Sequence, residues 1–235
     1  MLECLSVGIR PNVHQRLSMP NPTAPTPVDP EIALNQRWAE RAFGSETALL
    51  FSFVYNGRPL ADLVGKWRRE VTQYKVDPTT DHITLSLTDP DTRLEVRAEC
   101  RVYRDTAGVD WTLHVTNRGS QDSPVLEQLR ALDTLLPIAA QAPVVLHRLN
   151  GSLCAADDWL PFDQPVPAGE RIDFATTNGR SSNVSPWFNV AWGGGGARPA
   201  DGGVIVAIGW SGQWSAAVAH EGDQLRLEAG IQSLH

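Results

Sequence analysis

Apolar and polar residues alternate through the middle of this chain. Ile83, Leu85 and Leu87 are spaced by Thr84 and Ser86. Leu94, Val96, Ala98, Cys100 and Val102 then interleave with Arg93, Glu95, Arg97, Glu99 and Arg101. Val109, Trp111, Leu113 and Val115 do the same with Asp110, Thr112, His114 and Thr116. Successive side chains of a strand point to opposite faces, so a period of two describes strands with one dry and one wet face. The turn clusters Asp89-Pro90-Asp91 and Asp105-Thr106-Ala107-Gly108 part the three runs. The pattern predicts an antiparallel meander. Because the charges on its wet face alternate in sign, they pair with neighbours and form a solvated surface.

Other segments read less sharply. Leucines at 126, 129, 132 and 136 suit a helix, yet so short a run equally allows a strand. Val144–Leu149 reads as ordered, and a loop-rich stretch follows to Asn189. The glycines at 193–196 and 202–203 lack the order of a phosphate-binding loop and predict a flexible hairpin connection. Val204–Ile208 reads as a buried strand. Strands containing Trp214, Ala216 and Val218, then Leu225, Leu227 and Ala229, complete the pattern.

The head differs. Residues 18–30 hold five prolines, each lacking an N–H and fixing φ. Residues 1–30 read as a disordered or extended tail, and Glu31–Phe43 allows a short helix through Ile32, Leu34, Trp38 and Ala42. The expected organisation is a Pro-rich, largely disordered tail over 1–44 and one all-β domain over 45–235.

Composition narrows the function. With 19 Gly, 17 Pro and 42% hydrophobic residues, the sequence suits a globular, turn-rich fold. A net charge of −7 with no Lys/Arg cluster argues against a nucleic-acid partner. No run approaches the ~20 apolar residues of a membrane span. The first ten residues lack the pattern of a signal peptide, so the expected location is the cytoplasm. Cys4, Cys100 and Cys154 are odd in number and show no CxxC spacing, against a disulfide framework. Cys100 lies on the apolar phase of its strand and reads as a buried thiol.

The search for chemistry returns no catalytic residue, no metal site and no cofactor. The six histidines are scattered without HxH or HxxxH spacing, and no GxSxG occurs. Asp157-Asp158 is an adjacent carboxylate pair in the loop-rich stretch, where turn formation is the ordinary role of such residues. The tryptophans say more. Trp159, Trp187, Trp192, Trp210 and Trp214 stand with Phe188 among Asp158, Arg180, Ser181, Asn183, Asn189 and Gln213. Indole faces stack on the C–H faces of sugars and planar polar groups meet their hydroxyls; packing in a sandwich core is the competing role.

Three segments carry a family resemblance. They are Phe51-Ser52-Phe53-Val54-Tyr55-Asn56-Gly57-Arg58-Pro59 running to Trp67, Leu149-Asn150-Gly151-Ser152 through Asp158-Trp159 to Gly179-Arg180-Ser181-Ser182 and Pro186-Trp187-Phe188, and the string from Gly202 through Gly209-Trp210-Ser211-Gly212-Gln213-Trp214. Together they resemble the amino-terminal domain of bacterial α-galactosidases of glycoside hydrolase family 36, over roughly residues 49 to 235. The resemblance implies a large antiparallel β-sandwich, a supersandwich of the galactose-mutarotase kind, and favours a strand at 125–136. It implies a module that precedes a catalytic (β/α)8 barrel bearing two aspartates. Here Lys66-Trp67 is followed by Arg68 where the family nucleophile motif has Asp, and no barrel-length βα repeat occurs.

The resemblance further implies partners: α-galactoside carbohydrates, a catalytic barrel or other subunits, and self-association through surface that such a barrel covers. Asp158, Trp159, Arg180 and Ser181 are the candidates for bordering the substrate entrance. Two other functions fit the sequence, a free-standing carbohydrate-binding module and a mutarotase-like sugar epimerase.

Overall fold

The computed structural model describes residues 5–10, 29–44, 49–177, 183–194 and 201–232. The strands in chain order are β1 (Leu5–Arg10), β2 (Ser52–Tyr55), β3 (Arg58–Pro59), β4 (Arg68–Asp77), β5 (Thr80–Thr88), β6 (Leu94–Tyr103), β7 (Gly108–Asn117) and β8 (Leu126–Pro137). They continue as β9 (Val144–Asn150), β10 (Pro161–Pro165), β11 (Arg171–Ala175), β12 (Val184–Trp192), β13 (Gly202–Ile208), β14 (Trp214–Glu221) and β15 (Gln224–Ile231). One helix, α1 (Pro30–Gly44), lies between β1 and β2. A nine-stranded sheet has the order β10-β9-β12-β13-β1-β7-β6-β5-β4, and a six-stranded sheet the order β11-β14-β15-β8-β2-β3. Every pairing is antiparallel.

The two sheets share one core, as an all-β sandwich requires. Trp111 of β7 is 1% exposed and donates its indole N–H to the Ala131 carbonyl of β8, 2.8 Å away. Phe174 of β11 meets Phe188 of β12 edge-on, with ring centroids 5.1 Å apart. Arg148 of β9 lies across the rings of Phe162 and Phe174, at 4.8 and 4.6 Å, and burial lowers its pKa. Indole and phenyl rings thus tie sheet to sheet at both ends.

The meander is where the alternation places it, as β5, β6 and β7. Its inward residues Leu87, Val96, Ala98, Cys100 and Val109 are fully buried. Its outward charges pair as expected, Arg97 with Glu99 at 3.1 Å and Glu95 with Arg118 at 3.1 Å. The segment at 125–136 is strand β8. The glycine-rich connection joins β12 to β13, which pair antiparallel, while residues 195–200 lie outside the described set.

Two stretches of the head are elements of the fold, strand β1 and helix α1, the latter where the sequence allows a short helix. Strand β1 sits between β13 and β7, in the interior of the larger sheet. Helix α1 buries Asn35, Trp38, Ala39, Ala42 and Phe43, at i, i+3, i+4, i+7 and i+8 along one face. Asp29 caps the helix by accepting the Glu31 N–H at 2.9 Å. Trp38 packs on Trp111 at 6.2 Å, and Asn35 donates to the Gly108 carbonyl at 3.0 Å, so α1 closes one end of the sandwich. The helix also forms one wall of an apolar cavity of about 500 Å³ with Leu50, Phe51, Leu60 and Leu135. Residues 11–28, with most of the prolines, lie outside the described set.

The stretch to Asn189 read as loop-rich contains β10, β11 and most of β12. Pro161 and Pro165 bracket β10, and proline is tolerated there because β10 is an edge strand. Strand β4 is the other edge. It is exposed along nearly its whole length and has no dry face to leave an alternation in the sequence.

Candidate functional site

The loop joining β9 to β10 holds the two candidates that the structure describes, Asp158 and Trp159. Its base is closed by the Asn150 N–H donating to the Leu160 carbonyl at 3.0 Å and the Trp159 N–H donating to the Gly151 carbonyl at 3.3 Å. The side-chain amide of Asn150 donates to both the carbonyl and the carboxylate of Asp157, each at 3.1 Å.

Asp158 is the organising centre of this loop. Its carboxylate accepts from the Ser152 hydroxyl at 2.8 Å and from the N–H groups of Leu153, Cys154 and Ala155 at 2.9, 3.1 and 3.2 Å. Two carboxylate oxygens offer about four acceptor sites, so these four donors fill them. The Leu153 N–H and the Ser152 hydroxyl, with smaller help from Ala155 and Cys154, hold its pKa below the ordinary carboxylate value. A general acid needs the opposite shift. The turn-forming role expected of an Asp-Asp pair is the one this geometry performs.

Trp159 is displayed. It is 56% exposed and its backbone is in the left-handed region, φ +61°. Cys154 in the same loop has φ +64°. A bulky residue held there costs of order 1–3 kcal/mol, and such outliers concentrate at functional sites. Arg180 and Ser181 lie outside the described residues. The chain that flanks them is fixed: Asn183 accepts the Thr177 N–H at 3.0 Å, and Val184 is the register partner of Asn150.

The eight tryptophans divide cleanly. Trp38, Trp67, Trp111 and Trp214 are buried, Trp192 and Trp210 pack partly against the core, and Trp159 and Trp187 stand out to solvent. Reading the cluster in sequence order could not separate these groups. It also missed the pair His147–Asp163, whose side chains meet at 2.7 Å on the outer face of β9 and β10. That pair is sixteen residues apart and becomes neighbours only through the hairpin register. Among the described residues no three His, Cys, Asp or Glu side chains converge as a metal site would need. No described helix is long and apolar enough to cross a membrane.

A family profile described as Glycosyl hydrolase family 36 N-terminal domain matches residues 63–235. No curated protein sequence matches the chain. Among solved structures, the fold is similar to that of the GH36 alpha-galactosidase AgaA from Geobacillus stearothermophilus. The TM-score is 0.56 at 16% identity, over 79% of this chain and 27% of that one. Two further crystal structures of variants of that enzyme, one in complex with raffinose and one with stachyose, match with the same values. The chain thus spans 27% of the length of these solved relatives.

Proposed function

The chain belongs to the family of N-terminal domains of glycosyl hydrolase family 36, and from that premise we propose that it is the β-sandwich module of an α-galactosidase-like glycoside hydrolase. In this reading it helps form the substrate entrance, makes subunit contacts and cleaves no glycosidic bond without a catalytic barrel. The observation that carries it is the β9–β10 loop, in which Asp158 fixes a frame and Trp159 is held outward in a strained backbone. An exposed indole on a rigid loop suits a sugar lying at the mouth of a neighbouring site.

Retaining glycoside hydrolysis needs two carboxyl groups facing each other across the scissile bond, one with a raised pKa. Asp157 and Asp158 are adjacent, both hydrogen-bonded within the loop, and Asp158 is shifted downward. This supports the assignment of bond cleavage to a different domain. The test is an assay of the purified chain on an aryl α-galactoside. No hydrolysis above background is expected; turnover that rises in proportion to protein concentration refutes the reading.

The same proposal includes self-association and a cytoplasmic setting. Strand β4 supports the first, a ten-residue edge with Val71, Tyr74 and Val76 exposed. The odd number of cysteines, three without CxxC spacing, supports the second. A second reading, a module that binds sugar by itself, is favoured by the exposure of Trp159 and Trp187.

A further inference from the structure

Strand β12 changes face part-way along. Ser185 is buried and Trp187, two residues on, is 59% exposed, although residues two apart on a regular strand share a face. The pairing with β9 slips between Val184 and Phe188, whereas Trp187 stays in regular register with Ala207 of β13 and faces outward in phase with Asn189. From Phe188 the alternation is regular, with Phe188 and Val190 buried and Asn189 exposed.

Its surroundings are polar groups in register. Asn189 follows Trp187 on the same outer face, about 7 Å along the strand. His147 of β9 is the register partner of Asn189, and Asp163 of β10 is the register partner of His147. The His147 Nδ1–H donates to the Asp163 carboxylate at 2.7 Å, which orients the imidazole and leaves Nε2 as its other hydrogen-bonding atom. On the other side of the indole, Ile205 and Ala207 of β13 floor a groove of about 400 Å³. The Asp105–Gly108 turn and the first residues of α1 form its far wall.

We propose that this outer face of the nine-stranded sheet, centred on Trp187 with Asn189, His147 and Asp163, binds a neutral hexopyranose. The apolar face of the ring stacks on the indole while its hydroxyls meet the amide, the imidazole and the carboxylate. A protein partner is a poorer fit to this face, because Ile205 and Ala207 beside Trp187 are only partly exposed and Asn189, His147 and Asp163 are polar. Its named residues lie on β9, β10 and β12, and none belongs to the Trp159 loop. Only the choice of galactosides as probes rests on the function proposed above.

The purified chain is titrated with galactose, melibiose and raffinose, read by tryptophan fluorescence and by calorimetry. The same titrations are run on Trp187→Ala, Asp163→Asn and Trp159→Ala, with circular dichroism confirming that each is folded. Saturable binding to the native chain is expected, weakened about tenfold or more by Trp187→Ala. Asp163→Asn weakens it by a smaller factor, and Trp159→Ala leaves it within about twofold. A flat response to all three sugars overturns the proposal, as does unchanged affinity in Trp187→Ala. Loss confined to Trp159→Ala also overturns it and assigns the sugar to the entrance loop. If Trp187→Ala abolishes self-association in sedimentation without changing sugar affinity, the face docks protein and the proposal fails. None of these outcomes depends on whether the chain hydrolyses an aryl α-galactoside, so the two readings fail separately.

Discussion

Replacing Trp38 by alanine tests whether the helix ahead of the family-matched region is part of the domain's stability. Trp38 is 7% exposed, packs on Trp111 and lines the core. An indole buries roughly 200 Å², and at ~25 cal/mol per Å² its removal from the core costs ~5 kcal/mol. That figure is an upper bound, because the unfolded chain already shields part of the ring. The cavity of about 500 Å³ beside Trp38 lowers it further, since the new void opens into existing space. The expected loss is about 3 kcal/mol, at the low end for Trp→Ala in a core. For a domain of this size that is a fall in Tm of roughly 6–12 °C. The assay is urea and thermal unfolding followed by far-UV circular dichroism, with Trp187→Ala as a control expected within ~0.5 kcal/mol of the native chain. A loss below about 1 kcal/mol, or a separate early transition for the helix, would falsify the view that α1 and the sandwich unfold as one unit.

Two further predictions concern the backbone and the loop. A Cβ on Gly230 would lie 2.2 Å from the Leu129 carbonyl oxygen and 2.6 Å from the Arg130 Cα, where the β15–β8 register shifts. Neither neighbour is a flexible side chain, so Gly230→Ala should destabilise by about 2 kcal/mol or more, read from the urea midpoint; a change within ~0.5 kcal/mol refutes the close approach. The Asp158 carboxylate has its pKa depressed in the folded loop, so its contribution is complete above the unfolded value of about 3.9 and is lost as pH falls through the lower folded value. Hydrogen exchange at Leu153, Cys154 and Ala155, corrected for intrinsic rates, should therefore stay slow until pH drops below about 4. Asp158→Asn should speed it at every pH and abolish the acid step; an onset between pH 5 and 7 contradicts this assignment.

What the sequence disclosed follows from where each strand sits. Strands β5 to β7 have one face on the core and one in water, so their alternation was legible residue by residue. Strands β13 and β15 likewise announced themselves by buried Val, Ile and Leu. Strand β4 was silent because neither of its faces is dry. Strand β10 was masked by its prolines, which only its edge position allows. Helix α1 showed a loose apolar period, but the neighbouring prolines made the whole head look like a tail. At the site, Asp158 and Trp159 were found as residue types, and their division of labour was not. Whether a carboxylate faces a ligand or four of its own loop's donors is a matter of a few ångströms that spacing does not encode. Trp187 faces outward in its register with Ala207 of β13, and His147 meets Asp163 through a hairpin. Both are products of pairing.

Strand β1 joins β13 on one side and β7 on the other. Its partners are made about a hundred and two hundred residues after it, as the register of Val7 with Val109 and Val206 shows. During synthesis β1 must therefore wait about two hundred residues for its second neighbour. Until then the larger sheet exists as two unjoined meanders, each with a raw edge. Such distant pairing carries a heavy loop-closure entropy and makes assembly slow. It also leaves unsatisfied strand edges available to other chains while the protein is still being completed.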